Sequence, residues 1–153
     1  MTNQKIFGVQ NSNDLFGVIV KRYQEFEKHP NEADFLFLCF ALYHLREWVV
    51  EGLSFKEIKN IPNKEKTKEQ NLFVQLYEMK EFQIVGNFCN TGKHFSIGKT
   101  PLPETRKAPG AAAGVLRAGD SLDSSRVAFQ IGQSDARDIF IPLIRAYSEC
   151  LNN

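Results

Sequence analysis

Apolar residues recur at helical spacing along four long stretches of the chain. In the first stretch Leu15, Ile19 and Phe26 share one helical face, and in the second the centre reads FLFLCFALY. Such periodicity predicts helices over residues 14–28, 32–51, 68–91 and 135–151. Asn31 is the expected N-cap of the second helix, and Thr91–Gly92 is the expected end of the third. Because the second helix is apolar on every side at its centre, we expect the other helices to surround it.

Two short stretches alternate between apolar and polar positions instead. Residues 94–98 and 126–131 are predicted strands, and a Pro-, Gly- and Ala-rich loop over 100–125 separates them. The predicted fold class is mainly α: a bundle of about four helices with a small antiparallel two-stranded ribbon between helix three and the C-terminal helix. Residues 1–153 are expected to form a single domain.

Composition and charge narrow the class of protein. The 153 residues are 42% hydrophobic and 24% charged, which is typical of one globular domain. A formal charge of +1 argues against a protein that coats nucleic acid, although it allows a local basic patch. The three cysteines are isolated, the N-terminus has no signal-peptide pattern, and no apolar run approaches the ~20 residues of a membrane span. We therefore expect a cytoplasmic protein with free thiols and no membrane association.

The stretch CNTGKHFSIGKT, residues 89–100, contains two Gly-Lys steps that suggest a phosphate loop. A Walker loop requires the spacing G-x-x-x-x-G-K-[ST] between a strand and a helix. Here the glycines are one residue too far apart, the preceding element is a predicted helix, and Pro-Leu-Pro follows Thr100. His29, His44 and His94 also lack the spacing of a metal site. We therefore predict neither a cofactor nor a metal ion.

Polar residues form a stripe on each of two predicted helices. On helix three the stripe is Asn87, Asn90 and His94, with Lys93 beside it, and on helix two it is His44, Glu47 and Glu51. If the helices lie side by side, Glu47 could orient either histidine and the amides could hold a ligand. Two interpretations remain open: a polar network that satisfies buried helix ends, or a functional site.

The order of these motifs resembles a family of uncharacterised bacterial helical proteins. In that family an "hL-x-[DE]-W" element precedes a helix that ends in "N-x-[ST]-KHF" or a close variant. The positions of this chain that correspond to the two motifs are Leu45, Glu47, Trp48, Asn90, Gly92, Lys93, His94 and Phe95.

The helical part is also distantly similar to the HEPN superfamily, which occurs in toxin–antitoxin and phage-defence systems. Many HEPN domains are ribonucleases whose motif combines an arginine with a histidine a few positions later. His94 corresponds to that histidine, but residues 87–89 contain no arginine. The resemblance therefore implies a non-catalytic or degenerate HEPN-like module that binds a protein or RNA partner in a defence, toxin–antitoxin or mobile-element setting.

Two functional hypotheses follow. The first is the binding module, whose surface would combine the end of helix three with the long loop and its basic residues Arg106, Lys107 and Arg117; it could form oligomers. The alternative is a metal-independent ribonuclease in which His94 is the acid or base, Lys93 contacts the phosphate and Glu47 orients the imidazole.

Overall fold

The structure is a computed structural model that describes residues 6–93, 102–110, 115–120 and 126–152. Across these residues the protein is mainly helical, with a small antiparallel sheet. The helices are α1 (Ser12–Lys28), α2 (Glu32–Val49), α3 (Phe55–Lys59), α4 (Lys68–Glu78), α5 (Lys80–Lys93) and α6 (Arg137–Leu151). The strands are β1 (Thr105–Pro109), β2 (Val127–Ile131) and β3 (Ser134–Asp135).

Side-chain caps begin the first two helices. The Asn31 side chain accepts a hydrogen bond of 2.9 Å from the backbone N–H of Asp34, which confirms it as the N-cap of α2. Helix α1 begins slightly earlier than its apolar pattern indicated, because Asn11 accepts the equivalent bond from Asp14. Both helices therefore start at an asparagine that satisfies an otherwise unpaired backbone N–H.

The helix predicted over residues 68–91 is in fact two helices, because the backbone is extended at Met79, with ψ of 126°. A helix turns about 100° per residue, so a continuous helix would have placed the buried residues of the two halves on nearly opposite sides. The single extended residue turns both apolar faces toward the same core. Those buried residues are Leu72, Phe73 and Leu76 in α4, and Phe82, Val85, Phe88 and Cys89 in α5.

Glycines on α5 allow it to pack closely against α2. A Cβ on Gly86 would lie 2.8 Å from Cε2 of Tyr43, and one on Gly92 would lie 2.8 Å from Cζ of Phe40. The prediction that Thr91–Gly92 ends the helix is therefore wrong, since α5 continues to Lys93. Glycine is favoured at position 92 because a side chain there would collide with Phe40, and not because the helix ends there.

The sheet differs from the predicted ribbon. Strand β2 falls within the predicted range 126–131, but its partner is β1, which lies inside the stretch predicted to be a loop. The other predicted strand, residues 94–98, lies outside the described residues. The register pairs Lys107 with Phe129, and β3 adds a short third strand to the other edge of β2.

The core is built around α2, as its apolar centre predicts. Leu38, Leu42 and Leu45 are completely buried, and α2 contacts α1, α4, α5 and α6. The hydroxyl of Tyr147 on α6 donates a hydrogen bond of 2.7 Å to the carbonyl oxygen of Leu42. This bond satisfies the one polar atom of a side chain that is otherwise surrounded by apolar groups.

A buried ionic network attaches part of the long predicted loop to α6. Arg137 is 1% exposed, and its guanidinium donates hydrogen bonds to Asp120, Asp135 and the carbonyl oxygen of Val115. These bonds satisfy the buried charge and hold residues 115–120 against the start of the helix. Asp135 also accepts a bond from the backbone N–H of Arg137, the first residue of α6.

A candidate binding site between α2, α4 and α5

The predicted polar stripes of α2 and α5 meet at His44. Its Nε2 lies 3.0 Å from Nζ of Lys93 and 3.5 Å from Sγ of Cys89, while its Nδ1 lies 3.6 Å from Oε1 of Glu47. An ammonium group can only donate, so Nε2 must be the accepting nitrogen and the ring proton belongs on Nδ1, facing Glu47. Burial raises the pKa of the Cys89 thiol, which favours the thiol over the nucleophilic thiolate.

Three predicted site residues, His44, Glu47 and Lys93, are therefore neighbours in space. His94, the predicted catalytic residue, lies outside the described residues. Asn87 and Asn90 form no hydrogen bond with His44; they line a cavity to which Tyr43, the residue before His44, also contributes.

That cavity, which we call the Arg46 cavity, has a volume of about 270 Å³. One wall consists of aromatic rings and another consists of a stripe of amides along α5. Arg46, from α2, lies between them. The lining residues are Tyr43, Arg46, Tyr77, Phe82, Gln83, Gly86, Asn87 and Asn90.

Arg46 is the unusual residue of this site. Its side chain is only 8% exposed, yet Nε and Nη1 are enclosed and have no hydrogen-bond partner. The guanidinium carbon lies 4.2 Å from the ring centre of Tyr43, 4.8 Å from that of Tyr77 and 5.2 Å from that of Phe82. Cation–π attraction offsets part of the cost of burying the charge, but the N–H groups of these two nitrogens have no hydrogen-bond partner.

Tyr77 contributes a hydroxyl to the same cavity. Burial raises the pKa of Tyr77, although the neighbouring Arg46 opposes the shift. The phenol is therefore protonated at neutral pH and is a hydrogen-bond donor at the cavity wall.

Arg46 is not among the site residues predicted above, although a signal for it was present in the sequence. Arg46 lies four residues after Leu42 and three before Val49, on the buried face of α2. A charged residue among apolar positions of a core helix is rare unless it has a partner or a function. The position alone could have identified it as a candidate.

The basic residues predicted to complete the binding surface lie elsewhere. Lys107 is on β1 and forms an ion pair with Glu32 at the start of α2, where its ammonium group holds the pKa of that carboxyl below the usual value. Twelve residues of helix, or about 18 Å, separate Glu32 from His44. Arg106 is also on β1, while Arg117 pairs with Asp138 at the start of α6. None of the three joins the Arg46 cavity.

A larger cavity of about 790 Å³ lies near the N-termini of α1 and α4, and Glu47 and Trp48 contribute to its wall. Its lining includes none of the enclosed, unpartnered side-chain atoms found among the described residues. Size alone does not indicate a ligand, so we regard the smaller Arg46 cavity as the better candidate.

In the ranges that the structure describes, no group of His, Cys, Asp and Glu side chains has the geometry of a metal site. Each of the helices that the structure describes is too short or too polar to cross a lipid bilayer.

Comparisons of the whole chain with protein-family models, with proteins of curated description and with solved structures gave no match. The function must therefore be inferred from the site itself.

Proposed function

We propose that this protein is a binding module for unpaired RNA and that the Arg46 cavity receives one base. The observation that carries the proposal is the buried Arg46 guanidinium at the wall of an open cavity, because its Nε and Nη1 donate to no protein atom. A bound group whose acceptor atoms reach these nitrogens, after a shift of the rings that enclose them, would satisfy donors that the protein leaves unpaired.

The lining has the chemistry that unpaired bases require. Bases that leave a stack bind between aromatic side chains and arginine planes, and their edges form hydrogen bonds with polar side chains. Tyr43, Tyr77 and Phe82 offer the rings, and the amides of Gln83, Asn87 and Asn90 offer both donors and acceptors.

A cation for the neighbouring phosphate is close at hand. Lys93 lies one helical turn beyond Asn90, about 4.5 Å along the helix axis, and it also contacts His44. With a formal charge of +1 over the whole chain, we expect contacts with one or two nucleotides and not with a long duplex.

Binding is proposed in preference to cleavage because of the arrangement at His44. His44 is the histidine that the structure describes at this site, and its Nε2 is already in contact with Lys93 and Cys89, so it is not free to act as a base. The ribonuclease hypothesis with His94, Lys93 and Glu47 stays a prediction, as do the HEPN-like relationship, the cytoplasmic location and the defence, toxin–antitoxin or mobile-element setting.

Fluorescence anisotropy with a labelled single-stranded RNA pool tests the proposal. We expect the wild-type protein to bind this pool, and Arg46→Met to weaken binding by about tenfold or more, since a stacked base is worth about 1–3 kcal/mol. Arg145→Met is the matched control, because Arg145 is exposed on α6 and its loss changes the net charge equally. Its affinity should equal that of the wild type.

Three results would overturn the proposal: equal binding of single-stranded and duplex RNA, equal losses in the two variants, or no binding of single-stranded RNA by the wild-type protein. The first two would indicate non-specific charge attraction, and the third would show that the Arg46 cavity does not receive an RNA base.

The ribonuclease alternative has a separate test. Total RNA incubated with about micromolar protein in EDTA should stay intact. If the wild-type protein cleaves RNA and the His94→Ala variant does not, the protein is a ribonuclease. The binding proposal then fails, whatever affinity fluorescence anisotropy measures.

A further inference from the structure

The contact between His44 of α2 and Lys93 of α5 is possible in only one charge state of the imidazole. Nζ of Lys93 lies 3.0 Å from Nε2 of His44, and an ammonium group has no lone pair, so Nε2 must accept the hydrogen bond. A protonated imidazole has an N–H on both nitrogens and cannot accept. Protonation of His44 would therefore break this hydrogen bond and place two cations side by side.

The other groups around His44 set the local charge. Glu47, one turn later on α2, lies 3.6 Å from Nδ1, the ring nitrogen that does not contact Lys93. Cys89 lies 3.5 Å from Nε2, and burial raises the pKa of its thiol, so the sulfur carries no charge near neutral pH. While the imidazole is neutral, the charges of Glu47 and Lys93 therefore balance, and one proton on His44 changes their sum to +1. The described residues near His44 that titrate or carry charge are Tyr43, Arg46, Glu47, Cys89 and Lys93.

A phosphate group would give both cations a partner. The Nε2 of His44 and the ammonium group of Lys93 face each other, so an anion that enters between them can accept from both. Charge-assisted hydrogen bonds of this kind are short and strong. Glu47 stabilises the added positive charge from the Nδ1 side. The side chain of His44 is 33% exposed, so a backbone phosphate can reach the imidazole from solvent.

We propose that His44 and Lys93 together bind a backbone phosphate of the RNA, and that His44 takes up a proton from solvent when the phosphate binds. This inference rests on the proposed function, because the phosphate belongs to the nucleotide next to the base in the Arg46 cavity. Phosphate binding and protonation each favour the other by the same factor. Imidazole changes charge between about pH 5 and 8, so the affinity for RNA increases as the pH falls through this range.

The affinity for a short single-stranded RNA, measured by fluorescence anisotropy at about pH 7.5 and about pH 5.5, tests the site. We expect the wild-type protein to bind about tenfold more tightly at the lower pH, since the complex holds one more proton than the free protein. Isothermal titration calorimetry in buffers of different ionisation enthalpy should show that protons are taken up when RNA binds.

His44→Gln is the informative variant, because its amide oxygen can still accept a hydrogen bond from Lys93 but the side chain gains no charge at low pH. Its affinity should change less than about twofold between the two pH values, and its proton uptake should disappear. His29→Gln is the matched control, since His29 is exposed at the end of α1. It should keep the pH dependence of the wild type.

Two results would refute this site and leave the binding of a base at Arg46 intact: equal affinity of the wild type at both pH values, or a pH dependence that persists in His44→Gln. No binding of RNA at either pH would refute both proposals. If circular dichroism shows that His44→Gln does not fold, NMR of the histidine ring nitrogens in the wild-type protein decides. RNA should convert the His44 ring from its neutral form to its doubly protonated form, and a ring that stays neutral in the complex contradicts the proposal.

Discussion

Two buried arginines show how differently the fold treats the same side chain. Arg137 is 1% exposed, and protein acceptors meet its guanidinium on several sides. Arg46 is 8% exposed, and its main neighbours are aromatic rings, with Nε and Nη1 unpaired. The first arginine has the partners expected of a structural residue, while the second has the unsatisfied donors expected where a ligand binds.

This contrast predicts opposite effects of one substitution. Arg137→Met leaves Asp120 and Asp135 buried without their partner, and should lower the free energy of unfolding by about 3–5 kcal/mol. Arg46→Met removes two buried nitrogens that have no hydrogen-bond partner and keeps apolar contact with the rings, so the free energy of unfolding should stay within about 1 kcal/mol of the wild type. Urea unfolding monitored by circular dichroism measures both. If Arg46→Met is as damaging as Arg137→Met, Arg46 is a structural residue and its proposed role in binding fails.

At the scale of elements, the close packing of α2 against α5 builds the candidate site. Gly86 brings Tyr43 against α5, and Tyr43 in turn stacks on Phe82 and contacts Arg46. The position of α5 also places Lys93 beside His44. The geometry of the cavity therefore depends on the absence of a side chain at position 86.

Adding one methyl group at that position tests this dependence. The new Cβ of Gly86→Ala would lie 2.8 Å from a ring that is itself packed against Phe82 and Arg46, so we expect a loss of about 1–3 kcal/mol in the free energy of unfolding. The control is Gly17→Ala on α1, where no atom lies within 4 Å of the added methyl group. There the better helix propensity of alanine should raise stability by about 0.5–1 kcal/mol. Thermal and urea unfolding of both variants should show this difference in sign, and stabilisation by both would contradict the packing argument.

At the scale of the whole molecule, the Arg137 network connects distant parts of the chain. It attaches residues 115–120 to the start of α6, which in turn packs against α1, α2, α4 and α5. Hydrogen bonds from Arg137 lower the pKa of Asp120 to about 2, from 3.8 for the free side chain. The network is therefore a source of pH-dependent stability.

The direction of that dependence follows from the pKa of Asp120. Because its pKa is lower in the folded protein than in the unfolded chain, the carboxylate stabilises the fold at every pH above about 4, and the contribution falls as the pH drops toward about 2. At neutral pH it amounts to about 2 kcal/mol. Asp120→Asn should lose that amount at pH 7, and the difference from the wild type should shrink between about pH 4 and pH 2. A difference that does not change with pH, measured by urea unfolding, would exclude this carboxylate as the cause.

Local pattern accounts for much of the helical architecture. Helical periodicity identified α1, α2 and α6 to within a few residues, and the apolar centre of α2 identified it as the central element. The break at Met79 also corresponds to a feature of the sequence, because the apolar stripe changes phase there. The two stripes together are as long as one ordinary helix, so a single helix was predicted. These features depend on residues close together in the chain.

The sheet and the Arg46 cavity could not be predicted from the local pattern of residues. The partner of β2 is a short basic strand whose residues alternate weakly, and its choice depends on contact between distant segments. The polar stripes placed His44, Glu47 and Lys93 together, but the environment of Arg46 requires Tyr77 from α4 and Phe82 from α5 beside α2.

The sequence by itself therefore determined where the long helices form, which helix is central and which of its neighbours carry polar stripes, since these follow from spacing along one helix. Only the tertiary structure decided which strand pairs with β2 and which glycines allow α5 to approach α2. It also decided that Arg46, unlike Arg137, has nitrogens without a hydrogen-bond partner. The physical reason is that hydrogen-bond satisfaction and packing depend on groups that folding brings together from separate elements, and no periodicity within one element records them.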